Sequence, residues 1–249
     1  MKAGFFNFFV MMTLIPLTLS AQSATEIIER MEDVMRGESS LAEMTMTIER
    51  PRYTREVGMK AWSKGEEYSL ILITAPARDE GTVYLKRENE IWNYVPSIDR
   101  TIKMPPSMMS QSWMGSDFTN DDLVRESSTI EDYEHRILRE EEIDGREAWV
   151  LELIPLPETP IVWGKVLMWI DKAHYIQLRV ENYDQQNELA NLIEFSEITE
   201  MDGRTFPAKL TLTPADEPDQ RTLMEYQNLE FNININESFF TQQNMRRVR

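Results

Sequence analysis

The chain has 249 residues, with 26 lysines plus arginines against 43 aspartates plus glutamates, a formal charge of −17. An acidic surface of this size repels phosphate backbones, so DNA and RNA are poor partners. Cysteine is absent and only two histidines occur, His135 and His174, which excludes disulfides, thiolate nucleophiles, cysteine zinc sites and multi-histidine metal sites.

Lys2 is followed by an uncharged apolar run, Phe5 to Leu19, and then by the small polar stretch Ser20 to Ser23. A basic start, a short apolar core and small residues after it are the layout of a secretory signal peptide. The run is also short for a membrane span, which needs about 20 apolar residues. Residues 1–21 are therefore expected to be a signal peptide, cleaved near Ala21 or Ser23, and residues 22–249 a single domain. No cysteine follows the apolar core, so no lipid is attached there. The expected location is the periplasm.

Ser23 to Arg36 reads as one amphipathic helix. Ser23 with Glu26 three residues later is a capping-box pattern. Ile27, Met31, Val34 and Met35 share a face, and Gly37 is a plausible stop. From Leu41 the period switches to two: Ala42, Met44, Met46 and Ile48 alternate with polar residues, as do Val57, Met59 and Ala61. Such alternation marks antiparallel strands with one buried face. Further strands are expected at 67–74, 81–87, 90–96, 134–142, 146–154, 162–171, 175–183, 188–200, 204–213 and 221–232. Lys64-Gly65, Asp144-Gly145 and Asp202-Gly203 supply tight-turn chemistry between them. About ten to twelve strands in one meander would curl or close, since open sheets that long rarely stay flat.

Pro105-Pro106 ends one strand, because prolines do not sit in a ladder. The segment that follows, residues 104–124, breaks the strand pattern. Met104, Met108, Met109 and Met114 crowd into it, with Trp113 and Phe118. It reads as a short helix, a Gly115-Ser116 break and a second short helix starting at Thr119 or Asn120. Two readings stay open: a plug that closes a barrel end as ordinary core, and a lid over an apolar cavity. Methionine repacks around ligands of varied shape, and Gly115 and Ser116 would absorb a hinge motion.

Catalysis has little support. Ser107, Ser110, Ser112 and Ser116 have no histidine near them in sequence, and no nucleophile elbow, P-loop or dinucleotide fingerprint occurs. Asp117, Asp121 and Asp122 read as helix caps rather than metal ligands. No enzyme activity, cofactor or metal is expected. Trp92 and Tyr94 share one strand face, opposite Ile91 and Val95, so that strand is expected to be sandwiched between the lid and the amino-terminal helix.

Ile91-Trp92-Asn93-Tyr94-Val95-Pro96, then Ser112-Trp113-Met114-Gly115-Ser116-Asp117-Phe118-Thr119-Asn120-Asp121-Asp122-Leu123, then Asp202-Gly203-Arg204-Thr205-Phe206-Pro207 and Glu237-Ser238-Phe239-Phe240-Thr241 together carry a resemblance. The chain resembles the outer-membrane lipoprotein-sorting family, the LolA/LolB-like superfamily, and within it the branch associated with RND-type exporters. The resemblance implies a curved, incomplete β-barrel whose concave face is covered by helices and takes up acyl chains. A periplasmic carrier or chaperone for acyl-bearing lipoproteins or lipids is the function it implies, with transfer across the envelope. The alternative is a non-enzymatic partner-binding accessory or sensor module of an RND-type exporter, which would then be an inner-membrane partner. A monomer is expected.

The lid residues expected to face the cavity are Met108, Met109, Trp113, Met114 and Phe118. The sheet residues expected to line it are Met44, Met46, Ile48, Val57, Met59, Leu70, Leu72, Trp92 and Tyr94, with core packing as the equal alternative.

Overall fold

The computed structural model describes residues 22–125, 128–157, 159 and 161–248. The expected signal peptide, residues 1–21, lies outside the described residues. The amino-terminal helix is present as α1, Ala24–Met35. Ser23 caps it: its side chain accepts from the Glu26 N–H while the Glu26 carboxylate accepts from the Ser23 N–H, so two otherwise orphaned donors are satisfied reciprocally. Gly37 takes a φ of +67° just past its end.

Thirteen strands follow: β1 (Ser39–Arg50), β2 (Tyr53–Lys64), β3 (Tyr68–Ala75), β4 (Val83–Arg87), β5 (Glu90–Val95), β6 (Arg100–Lys103), β7 (Tyr133–Ile143), β8 (Arg146–Pro155), β9 (Lys165–Asp171), β10 (Gln177–Tyr183), β11 (Leu189–Met201), β12 (Arg204–Pro214) and β13 (Arg221–Phe231). They form one open antiparallel sheet in the order β6-β5-β4-β3-β2-β1-β13-β12-β11-β10-β9-β8-β7. Two meanders thus meet at the β1–β13 pair, and the sheet is an incomplete barrel, as expected. Asp144-Gly145 and Asp202-Gly203 make two-residue hairpins with positive φ at both positions, 51° and 76°, and 46° and 74°.

The strand order fixes the course of the lid. β6 and β7 are the two free edges, yet they are consecutive in sequence. The connection from Met104 to Asp132 must therefore travel from one edge to the other.

Two covers share the inner face. Ala24, Ile27, Ile28 and Met31 of α1 pack on Leu151, Leu153, Val166, Met168, Ile170 and Val180 of β8–β10. Met104, Met109, Trp113 and Phe118 pack on Met46, Ile48, Val57, Met59, Ile71, Ile73 and Ile91, with Leu212 and Met224. The opposite face of β3–β5 is covered by the chain's own carboxy-terminal segment through Phe240, Met245 and Val248, the middle one in the short helix α2, Gln242–Met245.

That last contact corrects several expectations. Leu70, Leu72, Trp92 and Tyr94 belong to the cluster with the carboxy-terminal segment, not to the inner face. Side chains alternate along a strand, so Ile71, Ile73 and Ile91 point to the lid and their neighbours point away. β5 is indeed covered on both sides, but by the lid and the carboxy-terminal segment rather than by α1.

Candidate ligand cavity and its lid

The lid is built from local hydrogen bonds rather than from two helices, which corrects the sequence reading. Pro106–Met108 form a single 3-10 turn. Residues 112–119 then make a tight hairpin, with a bridge between Ser112 and Thr119 and the Trp113 N–H donating to the Phe118 carbonyl at 2.7 Å. At its tip Met114 and Gly115 take φ of 52° and 80°. The Ser112 hydroxyl donates to the Ser116 carbonyl at 2.5 Å and the Ser116 hydroxyl to the Trp113 carbonyl at 2.7 Å. Serine side chains that bond nearby backbone compete with helix, and two left-handed residues in succession exclude it. Ser116 is buried and tethered, so it is not the free hinge expected of it.

Asn120 ties the hairpin back to the first turn, donating to the Met108 carbonyl at 2.9 Å and the Gln111 carbonyl at 3.1 Å. Asp122 accepts from the Thr119 N–H and hydroxyl, both at 2.8 Å, and caps one π-helical turn, Asp121–Arg125. This turn is what stands where a second helix was expected. Burial pushes the Asp122 carboxyl above the usual carboxylate range, and the Thr119 bonds pull against that shift.

A charged latch holds the hairpin to the sheet. Arg50, the last residue of β1, grips Asp117 with both guanidinium nitrogens, at 2.9 and 3.0 Å. Thr222 of β13 donates its hydroxyl to the same carboxylate at 2.6 Å and accepts from the Asp117 N–H at 3.0 Å. Arg50 also donates to the Gly115 carbonyl, and Arg55 of β2 to the Met114 carbonyl at 2.8 Å. The Arg50 and Asp117 side chains are only 12% and 8% exposed, which makes this bidentate pair worth more than a surface ion pair. Asp117 is thereby committed to the latch and Asp122 to the cap.

Beneath the tip, Trp113 is fully buried against Tyr84, with ring centroids 5.4 Å apart. Burial pushes the Tyr84 hydroxyl up to about 12. The Trp113 indole N–H has no hydrogen-bond partner among the described residues. A buried donor left unpaired costs about 1–3 kcal/mol.

Between lid and α1 lies a cavity of about 430 Å³, within the range of small-molecule sites. Of the expected site residues, Met59, Trp113 and Phe118 line it, as does Met44. Met46, Ile48, Val57 and Met109 are buried in the cluster under the lid, with Met108 and Met114 packed at its edge. Leu70, Leu72, Trp92 and Tyr94 lie on the other face of the sheet. The sequence reading missed the whole second wall: Met31 and Met35 of α1, Leu153, Val166, Met168 and Phe195. Its signal was available in the α1 stripe and in the alternation of β8, β9 and β11. The histidines serve the frame. His135 bridges the Thr25 hydroxyl and the Thr129 carbonyl, and His174 pairs with Asp171 at 2.7 Å.

Known proteins fit this geometry. A family model described as that of an uncharacterized protein matches residues 65–247, most of the chain. A domain named for outer membrane lipoprotein sorting, from Vibrio parahaemolyticus, is 25% identical, with a TM-score of 0.79 over 90% of this chain and 98% of its own. The chain belongs to this LolA-like family. A DUF1329 family protein of Desulfovibrio piger superposes equally well, at 24% identity and a TM-score of 0.79, covering 89% of this chain and 97% of that one. The LolA superfamily protein NE2245 of Nitrosomonas europaea gives 22% identity and 0.76, covering 90% and 99%. These last two share the fold of the LolA-like chain. No curated protein matches it.

Proposed function

We propose that this LolA-like chain is a periplasmic, non-enzymatic carrier that shelters acyl chains of lipoproteins or lipids between its two covers during transfer across the envelope. The observation that carries the reading is the cavity of about 430 Å³ walled by methionine, leucine, valine and aromatic side chains from both meanders. Each CH₂ withdrawn from water is worth about 0.8 kcal/mol, so an acyl chain crosses an aqueous space only inside such a wall. The likeness to a domain named for lipoprotein sorting supports the same reading. Methionines on the sheet and under the lid let the wall repack around chains of different length.

The test is native mass spectrometry of protein purified gently from a periplasm, followed by solvent extraction, and repeated after incubation with acyl compounds. A stoichiometric adduct that releases acyl-bearing species is expected. A chain that carries none and takes up none under either condition contradicts the carrier.

A further inference from the structure

The register of β1–β4 places a polar row at one end of a strand face that is otherwise apolar through Ala42, Met44, Met59, Ala61 and Ile71. Ser40 stands opposite Ser63, Ser63 opposite Ser69, and Ser69 opposite Lys86. No bulge interrupts these pairings, so the four side chains share the face that carries Ile71 and Tyr84 toward the lid. Ser40, Ser63 and Ser69 line the cavity. Lys86, only 8% exposed, lines the adjoining cleft beside Ile91 and Met109. The Ser40 and Ser63 hydroxyls lie 2.7 Å apart. Arg36, at the end of α1, lines the same cavity.

The latch sits at the other end of the same strands. Ile48 of β1 pairs with Arg55 on one side and Thr222 on the other. From Ser40 to Ile48 is eight residues of strand, about 27 Å. In between come Ala42–Ala61 and Met44–Met59.

Facing hydrocarbon alone, the Ser40 and Ser63 hydroxyls would keep only the bond to each other, and the Ser69 hydroxyl would lose its water without replacement. We propose that this row is a head-group subsite: it receives the acceptor oxygens, ester or phosphate, of an amphiphile whose chain runs along Ala42, Met44 and Met59 toward the latch. The inference rests on the carrier reading and adds to it the direction of the ligand and the chemistry of its head. Serine hydroxyls rotate to donate, and Arg36 and Lys86 bring positive charge to the same end. The carboxylates nearby are Glu32, which pairs with Arg36 at 3.4 Å and accepts from the Thr129 hydroxyl, Asp121 and Asp122 of the lid, which line the same cavity, and Glu66, Glu67, Glu88, Glu131 and Asp132 around the Lys86 cleft.

Three probes test this by displacement of a fluorescent acyl reporter: palmitoyl lysophosphatidylglycerol, monopalmitoyl glycerol, and hexadecane carried on cyclodextrin. The protein is expected to hold both head-bearing probes more tightly than hexadecane. The triple variant Ser40→Ala/Ser63→Ala/Ser69→Ala is expected to bind them about tenfold more weakly while hexadecane changes by less than about twofold, the hexadecane arm showing that the variant is folded. Lys86→Met separates the sources: a loss confined to the lysophospholipid assigns phosphate, and an effect on neither or on both assigns ester oxygens. A triple variant that binds all three probes like the parent overturns the subsite and leaves the carrier standing. A parent protein that binds none of them overturns both.

Discussion

The two covers of the inner face are made in opposite ways. α1 is a capped helix that buries a continuous apolar stripe on β8–β10, and Arg204 closes its far end by donating to the carbonyls of Asp33 and Val34 at 2.7 and 3.0 Å. Among the described residues the lid has only one 3-10 turn and one π-helical turn. It holds its shape through serine, asparagine and aspartate side chains, and it is fastened by one buried charged pair while leaving a buried indole N–H unpaired. Stability within a protein is uneven, and segments held by few backbone ladders open first. From this difference α1 is expected to act as a fixed wall and the lid segment to open before it.

Four substitutions test the difference between the two covers. Ile28→Ala, at a fully buried α1 position, is expected to cost about 2–5 kcal/mol of global stability and to lower the melting temperature of the whole sheet. Asp117→Ala leaves Arg50 buried without its carboxylate, a loss of about 3 kcal/mol confined to the lid. Hydrogen exchange of residues 112–123 is then expected to accelerate by about a hundredfold while α1 amides hold; acceleration spread over β8–β10 would show that the lid is not a separate unit. Met114→Asp puts a charge at the edge of the lid cluster, and is expected to abolish acyl uptake while leaving the β-sheet circular-dichroism signal unchanged. Unchanged uptake would sink the lid assignment.

Asp122 gives the smallest effect and a pH sign. Its carboxyl is raised in the folded lid, so the folded state binds the proton more tightly than the unfolded one. Its contribution is therefore favourable at low pH and is lost as pH rises through the raised value. Lid protection is expected to weaken from mild acid toward neutrality. Asp122→Asn, which keeps the acceptor for Thr119, is expected to flatten that dependence with a stability change of a few tenths of a kcal/mol, about the size of a retained cap. A pH profile identical to the parent's would exclude Asp122 as its source.

Where local chemistry decides a feature, the sequence told it directly. The Ser23–Glu26 capping box, the Asp-Gly hairpins and the period-two pattern of β1 and β2 all stand where they were read. The faces of β3 and β5 were not legible for a physical reason. Leu70-Ile71-Leu72-Ile73 is apolar on both sides because two different segments cover it, so alternation carries no information there. The carboxy-terminal segment that covers the second face lies more than 150 residues away in sequence, as the Arg87 bond to the Phe240 carbonyl shows. The same distance problem hid the β1–β13 pairing and hence the route of the lid. Within the lid the residue types were read correctly as special and their conformation was not. Met114 in a left-handed conformation is set by Arg55 and the hairpin, which no periodicity announces.

The most direct test of a fixed wall and a removable one is hydrogen exchange mapped by mass spectrometry with and without palmitoyl lysophosphatidylglycerol. Ligand is expected to change exchange in residues 106–123 and to leave the α1 amides protected in both states. Ligand-dependent change in α1 with a lid that stays unaltered would contradict it.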